Sequence, residues 1–492
     1  MQTDLGDDTN GMSGDGSHSK AAGVDLRNYQ LVRDRERRIS KPTKRFGEAD
    51  LICYALNAAK DLERLDEPRS YKEALDSSDR HLWQGAMEEE LEALKKNNTW
   101  RLVDLPKGKK VVGSKWIFKK KEAIPGGEKA RYKARLVAKG FTQIEGVDYH
   151  EIFAPVVKHC SVRVLMAIVT HCNLHLEQLD VRTAFLHGDL EETIYMKQLE
   201  GFAVDDRVCL LQKSLYGLKQ SPRQWYRKFD DFLIKLNFKR CNYDDCVYTL
   251  NRDGEVLYLL LYVDDILIVS SDRSMIHEMK AKLGDAFEMK ELGEARRILG
   301  IDIKRDKPGG NLFSSQNCYW QKVISRYQMV ESKPAGRAIG QHLKLTKEQC
   351  PKTEDERRKM ESVPFSNGIG SIMYGMVCTR PDLAHGVSVL NRFMVDPGQI
   401  HWDALKWMLR YIKGSLDTGL LFQNNFQGGG YIEGFVDSDF AGCMDTRKSC
   451  LGYVFTLFGT AVSWRSTLQS VVALSTTEAE YYALAEGVKE AL

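Results

Sequence analysis

The chain has 492 residues, with 71 Lys and Arg against 68 Asp and Glu, a net charge of +3. That length holds two to four domains with proper cores, while the even charge balance does not by itself indicate a nucleic-acid partner. Eleven scattered cysteines without a CxxC pair point to free thiols in a reducing compartment, no apolar run is long enough to span a membrane, and no N-terminal segment resembles a secretory signal.

Residues 1–70 are polar and rich in Gly, Asp and Arg, apart from a short apolar stretch from Leu51 to Ala59. They read as a disordered leader or linker remnant. Leu82, Trp83, Met87, Leu91 and Leu94 then recur at helical spacing, and Ser77, Ser78 or Asp79 can cap that helix. Between Lys107 and Lys139 stand twelve Lys and Arg against Glu122 and Glu128. This is either a footprint for phosphates or a solvated, lysine-rich surface hairpin. The hairpin turns at Pro125-Gly126-Gly127. In its second strand Tyr132, Ala134, Leu136 and Ala138 share one face, and Arg131, Lys133, Arg135 and Lys139 share the other.

His159-Cys160 and His171-Cys172, with His175, invite a zinc reading. The single helix expected from Ser161 to Thr170 and the unfamiliar spacing argue against it. Partial alternation from Leu174 to Leu179 leaves Asp180 at the end of a strand. Two apolar runs, Val256–Tyr262 and Ile266–Val269, flank Val263-Asp264-Asp265, which reads as a β-hairpin with two carboxylates at its tip. Alone, that pair also reads as a solvated acidic turn. Adjacent carboxylates repel each other, and a hard dication relieves the repulsion. With Asp180 they form an oxygen set able to hold two Mg²⁺ ions about 3.5–4 Å apart.

Further on, a helix is expected near Arg273–Leu283, and Leu299-Gly300 reads as a strand start. Residues 335–430 are mainly helical, with a helix start at Pro381. Trp402, Leu405, Met408, Leu409 and Ile412 form an apolar face that ends at Gly414. Tyr431–Asp437 reads as a strand ending in a carboxylate. Ser475 and Glu478 form a capping box for a last helix.

The series Lys115–Lys119 (KWIFK), Lys133–Gln143 (KARLVAKGFTQ), Phe153–Val156 (FAPV), Leu215–Tyr226 (LYGLKQSPRQWY) and Tyr262–Asp265 (YVDD) resembles the reverse transcriptase of copia-type LTR-retrotransposon Pol polyproteins. The resemblance runs from about Glu73 to Leu492. It implies an α+β fold: a right-hand polymerase with fingers, palm and thumb, then a connecting helical region and a partial ribonuclease H-like α/β domain. The implied divisions are 71–330 for the reverse transcriptase, 331–429 for thumb and connection, and 430–492 for an incomplete ribonuclease H-like region.

By this resemblance Asp180, Asp264 and Asp265 are the catalytic aspartates that bind two Mg²⁺ (Mn²⁺ substituting). One ion activates a primer hydroxyl and the other stabilises the departing pyrophosphate. Lys133, Arg135, Val181, Ala184, Phe185, Tyr216 and Gly217 become nucleotide contacts, with Phe185 excluding a ribose 2′-hydroxyl. Lys139, Gln220, Leu299 and Gly300 become primer and template contacts. Asp437 and Glu480 match ribonuclease H ligands, and the chain ends before a further metal-binding aspartate, so an inactive nuclease is expected. The implied partners are an RNA template, a DNA primer, deoxynucleoside triphosphates and other Pol or Gag products, with no membrane. The implied setting is intracellular, in a cytoplasmic particle or the nucleus. The competing expectations are a silent nucleic-acid-binding relic and a two-metal nuclease built on Asp437 and Glu480.

Overall fold

The computed structural model describes residue 55 and residues 67–121, 131–306, 310–340, 342–424 and 431–492. All of these lie in the unit Glu48–Leu492. The expected leader over residues 1–70 and the hairpin turn at Pro125-Gly126-Gly127 fall almost wholly outside the described residues.

Helices α1 (Tyr71–Asp76) and α2 (Arg80–Lys96) come first. Trp83, Met87, Leu91 and Leu94 of α2 are buried as the spacing requires, whereas Leu82 is exposed. Asp79 precedes α2 without capping it. Its carboxylate instead accepts from Tyr132 Oη at 2.7 Å and Lys120 Nζ at 3.4 Å, tying the helix to the basic ribbon.

After β1 (Trp100–Val103) and β2 (Val111–Val112), that ribbon is β3 (Ser114–Lys121) paired antiparallel with β4 (Arg131–Ala138). Trp116, Phe118, Ala134 and Leu136 share a core with Trp83, Met87, Leu91 and Leu94 of α2. On the other face Lys119 stands directly opposite Lys133. Like charges set opposite one another weaken a sheet unless other groups offset them.

Helix α3 (His159–His171) leads into β5 (His175–Val181). Then come β6 (Tyr195–Met196), β7 (Val208–Leu211), α4 (Ser221–Lys235), β8 (Lys239–Cys241), β9 (Asp244–Arg252), β10 (Glu255–Tyr262), β11 (Asp265–Ser270), α5 (Arg273–Ala286) and β12 (Met289–Glu294). Six of these strands form one sheet, in the order β12-β5-β11-β10-β9-β8. Ile266, Leu267, Ile268 and Val269 of β11 are fully buried. Ile266 and Ile268 pack with Trp225, Phe229 and Leu283 of α4 and α5, and Leu267 and Val269 pack with Val162 and Val169 of α3. Burial on both faces explains why these strands are unbroken apolar runs, and each such side chain contributes about 1.5–3 kcal/mol.

Strands β13 (Arg297–Ile298), β14 (Ile301–Asp306) and β15 (Asn311–Ser315) start a second sheet. Helices α6 (Asn317–Arg326), α7 (Glu354–Glu361), α8 (Phe365–Thr379), α9 (Ala384–Asn391) and α10 (Gln399–Lys413) follow. Trp320 of α6 shares one core with Ile369, Leu390 and Leu405, so the helices on either side of residue 330 pack together, the start of the thumb being expected before that residue. The chain then returns as β16 (Gly419–Phe422), which pairs with β15 and completes the second sheet.

The region read as ribonuclease H-like is an antiparallel meander of β17 (Ile432–Ser438), β18 (Cys450–Leu457) and β19 (Thr460–Leu468), followed by α11 (Thr476–Ala491). Ser475 Oγ caps α11 by accepting from Glu478 N at 3.1 Å, and the Glu478 carboxylate reaches back to Leu474 N at 2.7 Å. Buried Arg163 of α3 ties this region to the rest. It donates from Nε to Val462 O and from Nη1 to Val377 O, each at 2.6 Å, and lies 4.0 Å over the Trp464 ring. Burial lowers its guanidinium to about 10. Among the described residues no helix is long and apolar enough to cross a membrane.

Candidate active site

β10 and β11 pair as far as Tyr262↔Asp265, leaving Val263 and Asp264 as a two-residue turn. Val263 has φ +54°, and Asp264 does not share the positive φ. This is the pattern of a type II′ turn, whose first central position glycine normally occupies. A β-branched residue there is strained and persists only if its surroundings impose it. Two bonds do so. Trp225 Nε1, from α4, donates to Val263 O at 2.6 Å, and Val181 N, from β5, donates to Asp264 O at 2.8 Å.

Register brings the carboxylates together. Asp180 of β5 is the direct cross-strand partner of Asp265 of β11, so both project from the same face, and Asp264 adjoins them in the turn. Asp264 Oδ2 lies 3.9 Å from Arg135 Nη2, and Asp265 Oδ1 accepts from Gln178 Nε2 at 3.0 Å. Lys290 of β12 is the partner of Asp180 on its other side. Three carboxylates at one end of a sheet match the oxygen donors that a hard dication takes. Among the described residues no group of three such side chains is already arranged as a ligand set; Asp264 lies near Arg135, and Asp265 accepts from Gln178.

The ribbon joins this site through Arg135, whose guanidinium also lies 4.6 Å from the Tyr216 ring. The Phe185 ring packs 4.6 Å from the same tyrosine. Burial pushes the Tyr216 hydroxyl up to about 12, so the ring stays neutral. Ala138 N donates to Tyr216 O at 2.7 Å, which pins the Tyr216 loop to β4. Gly217 makes that approach feasible. Its φ is +92°, and a Cβ there would stand 2.2 Å from Ala138 O. Lys133 is exposed on the ribbon and Lys139 half-buried at its base.

Some expected side-chain contacts are corrected, while Leu299, Gly300, Asp437 and Glu480 are only placed. Ala184 is wholly enclosed and Val181 nearly so, so neither side chain offers a nucleotide surface; the part expected of Val181 is its backbone's, whose amide donates to Asp264 O. Gln220 is also enclosed. It accepts from Gln143 Nε2 and donates to Asp148 O and Glu192 Oε2 at 2.9–3.1 Å, so it braces the loop and does not reach a template. Leu299 and Gly300, with φ +52° and +69°, form the two-residue turn between β13 and β14 and not a strand start. Tyr374 Oη donates to Leu299 O. Asp437 on β17 and Glu480 on α11 are both exposed. The zinc reading finds no support: among the described residues no metal-holding group forms, and the His171 ring stacks 3.9 Å from that of Phe458.

Trp225, Gln178 and Lys290 were not singled out by the sequence. Trp225 lies within the LYGLKQSPRQWY block, which was its one available signal. Gln178 precedes Asp180 by one strand repeat of two residues.

A family model described as reverse transcriptase (RNA-dependent DNA polymerase) matches residues 97–339. The retrovirus-related Pol polyprotein from transposon TNT 1-94 of Nicotiana tabacum is 49% identical over 429 residues, covering 86% of this chain and 32% of that protein. The Pol polyprotein from transposon RE2 of Arabidopsis thaliana is 36% identical over 458 residues, covering 92% and 30%. The chain thus spans about a third of the length of these curated relatives. A solved foamy viral protease–reverse transcriptase in complex with double-stranded DNA aligns with a TM-score of 0.42 and 11% identity, over 83% of this chain and 60% of that one. By these sequence matches residues 97–339 belong to the reverse transcriptase (RNA-dependent DNA polymerase) family, and the chain over most of its length is similar to copia-type, retrovirus-related Pol polyproteins of plant transposons.

Proposed function

We propose that the chain is an RNA-directed DNA polymerase that extends a DNA primer on an RNA or DNA template. The observation that carries this reading is the register pair Asp180–Asp265 with Asp264 in the adjoining turn, facing a ribbon that presents Arg135 and Lys133. On this reading the six-stranded sheet acts as palm and the β3–β4 ribbon as fingers. Asp180, Asp264 and Asp265 are the residues that hold two Mg²⁺ ions. Bound there, the ions lower the cost of the primer hydroxyl's ionisation and of charge on the leaving pyrophosphate.

The chain's own groups do the positioning. Arg135 and Lys133 offer positive charge to an incoming triphosphate, with Arg135 passing from Asp264 to the phosphates. Tyr216 and Phe185 form an apolar floor for the sugar, and Gln178 orients Asp265. The intact aspartate set and the closed cores around it favour this reading over a silent relic. A nuclease at Asp437 and Glu480 has no comparable register pair of carboxylates, since Asp437 stands opposite Gly452. Extension of oligo(dT) on poly(A) with labelled dTTP tests the proposal. Mg²⁺-dependent incorporation supports it, and none under any divalent cation rejects it.

A further inference from the structure

Trp225 has a task that its place in the core does not require. Its ring is buried at 1% exposure among Phe229, Phe287 and His187. The indole N–H, however, reaches out of the core to Val263 O at 2.6 Å. That carbonyl belongs to the residue at φ +54°, immediately before Asp264. A buried indole N–H without an acceptor is costly, and so is a β-branched residue in the left-handed region. Each defect is met by the other: the strained turn presents the carbonyl that the indole needs, and the indole holds the turn in its strained form. On the far side, Val181 N grips Asp264 O at 2.8 Å. Asp264 is therefore held by a clamp with one jaw on α4 and one on β5.

We infer that Trp225 is a positioning residue: through its N–H bond to Val263 O it keeps the strained hairpin tip in the form that sets Asp264 beside Asp180 and Asp265. The inference rests on the polymerase reading for its effect on rate, but the geometry has a readout of its own. Relaxing the turn lets Asp264 swing away from its neighbours without loss of the surrounding core. The consequence falls mainly on turnover, because Lys133 and Tyr216 sit on other elements and only Arg135 among the nucleotide contacts touches Asp264.

The test is a double-mutant cycle of Trp225→Phe and Val263→Gly in the full chain. Glycine adopts the turn without strain, so it removes the need for the clamp. Trp225→Phe alone is expected to lower kcat about ten-fold with KM for nucleotide little changed. In the Val263→Gly background the same substitution should change kcat by less than about two-fold. Independently of activity, hydrogen exchange at the Val181 amide, which reports the Asp264 end of the clamp, should quicken in Trp225→Phe and recover when Val263→Gly is added. If Trp225→Phe packs poorly, 3-benzothienylalanine at position 225 keeps the ring shape and deletes only the N–H. Equal losses in both backgrounds, or unchanged exchange and kcat with the isostere, would overturn the inference. A wild-type chain without polymerase activity whose Val181 exchange follows the expected cycle would overturn the polymerase reading and leave the clamp standing.

Discussion

Gly217→Ala attacks the contact that seats the Tyr216 loop against the ribbon. The new Cβ would stand 2.2 Å from Ala138 O and 2.5 Å from Val137 Cγ1, at a residue whose φ is +92°. The left-handed backbone costs about 1–2 kcal/mol and overpacking about 1–3 kcal/mol. Parting the loop from β4 also loses the Ala138 N to Tyr216 O bond, about 1 kcal/mol more. A total of about 3–6 kcal/mol rivals the stability of a whole domain, so the loop moves before the domain unfolds. Tyr216 then leaves Arg135 and Phe185. Urea unfolding should show a lowered midpoint, and primer extension should show a raised KM for nucleotide. Gly85→Ala in α2 is the control. No atom lies within 4 Å of its Cβ, and it should stabilise by about 0.5–1 kcal/mol. A Gly217→Ala protein with the parent's midpoint and KM would refute this account of the loop.

Glu90, under the ribbon, has its carboxyl raised above the ordinary 4.5 by burial, against the Leu136 amide and the charges of Arg135 and Lys133. The native state therefore binds this proton more tightly than the unfolded chain, and stability falls as pH rises from 4.5 through the raised value. Glu90→Gln should flatten that fall and raise the melting temperature at pH 7; a lower temperature with an unchanged slope would contradict this. Arg163→Met loses three carbonyl contacts and its stack on Trp464. It should cost about 2–4 kcal/mol and speed proteolysis within residues 431–492, and cleavage at the parent's rate would show the tie to be idle. Lys133→Ala and Arg135→Ala should mainly raise KM for nucleotide. Loss of template affinity alone would move the ribbon's role to the duplex.

The elements that carry the aspartates were legible because their signals are local. An acidic pair between two apolar runs reads as a turn, although only Asp264 lies in it and Asp265 opens β11; Asp180 lies near the end of the alternating stretch that pairs with β11, and the grouping of all three as catalytic ligands came from the family resemblance. The basic ribbon was legible for the same reason, since its alternation separates Lys133 and Arg135 from Ala134 and Leu136. What stayed hidden depends on partners far along the chain. Asp79 looks like a cap until Tyr132, 53 residues on, takes its carboxylate. Gln220 looks available until Gln143, Asp148 and Glu192 occupy it. The return of β16 to β15 is set by a pairing across about a hundred residues, and no local periodicity encodes it. The strain at Val263 was equally silent, because a valine between strands reads as one more strand residue.

On the proposed function, Asp264, held at the strained tip, acts with Asp180 and Asp265 in nucleotidyl transfer. Asp264→Asn keeps the side chain's shape and removes its charge, so the fold should persist by circular dichroism and melting. The direct measurement is the Mg²⁺-dependent rate of oligo(dT) extension on poly(A), parent against Asp264→Asn at equal folded concentration. The account predicts a loss of at least ~10²–10³-fold. Extension by the variant within a few-fold of the parent, with the same Mg²⁺ dependence, would contradict it.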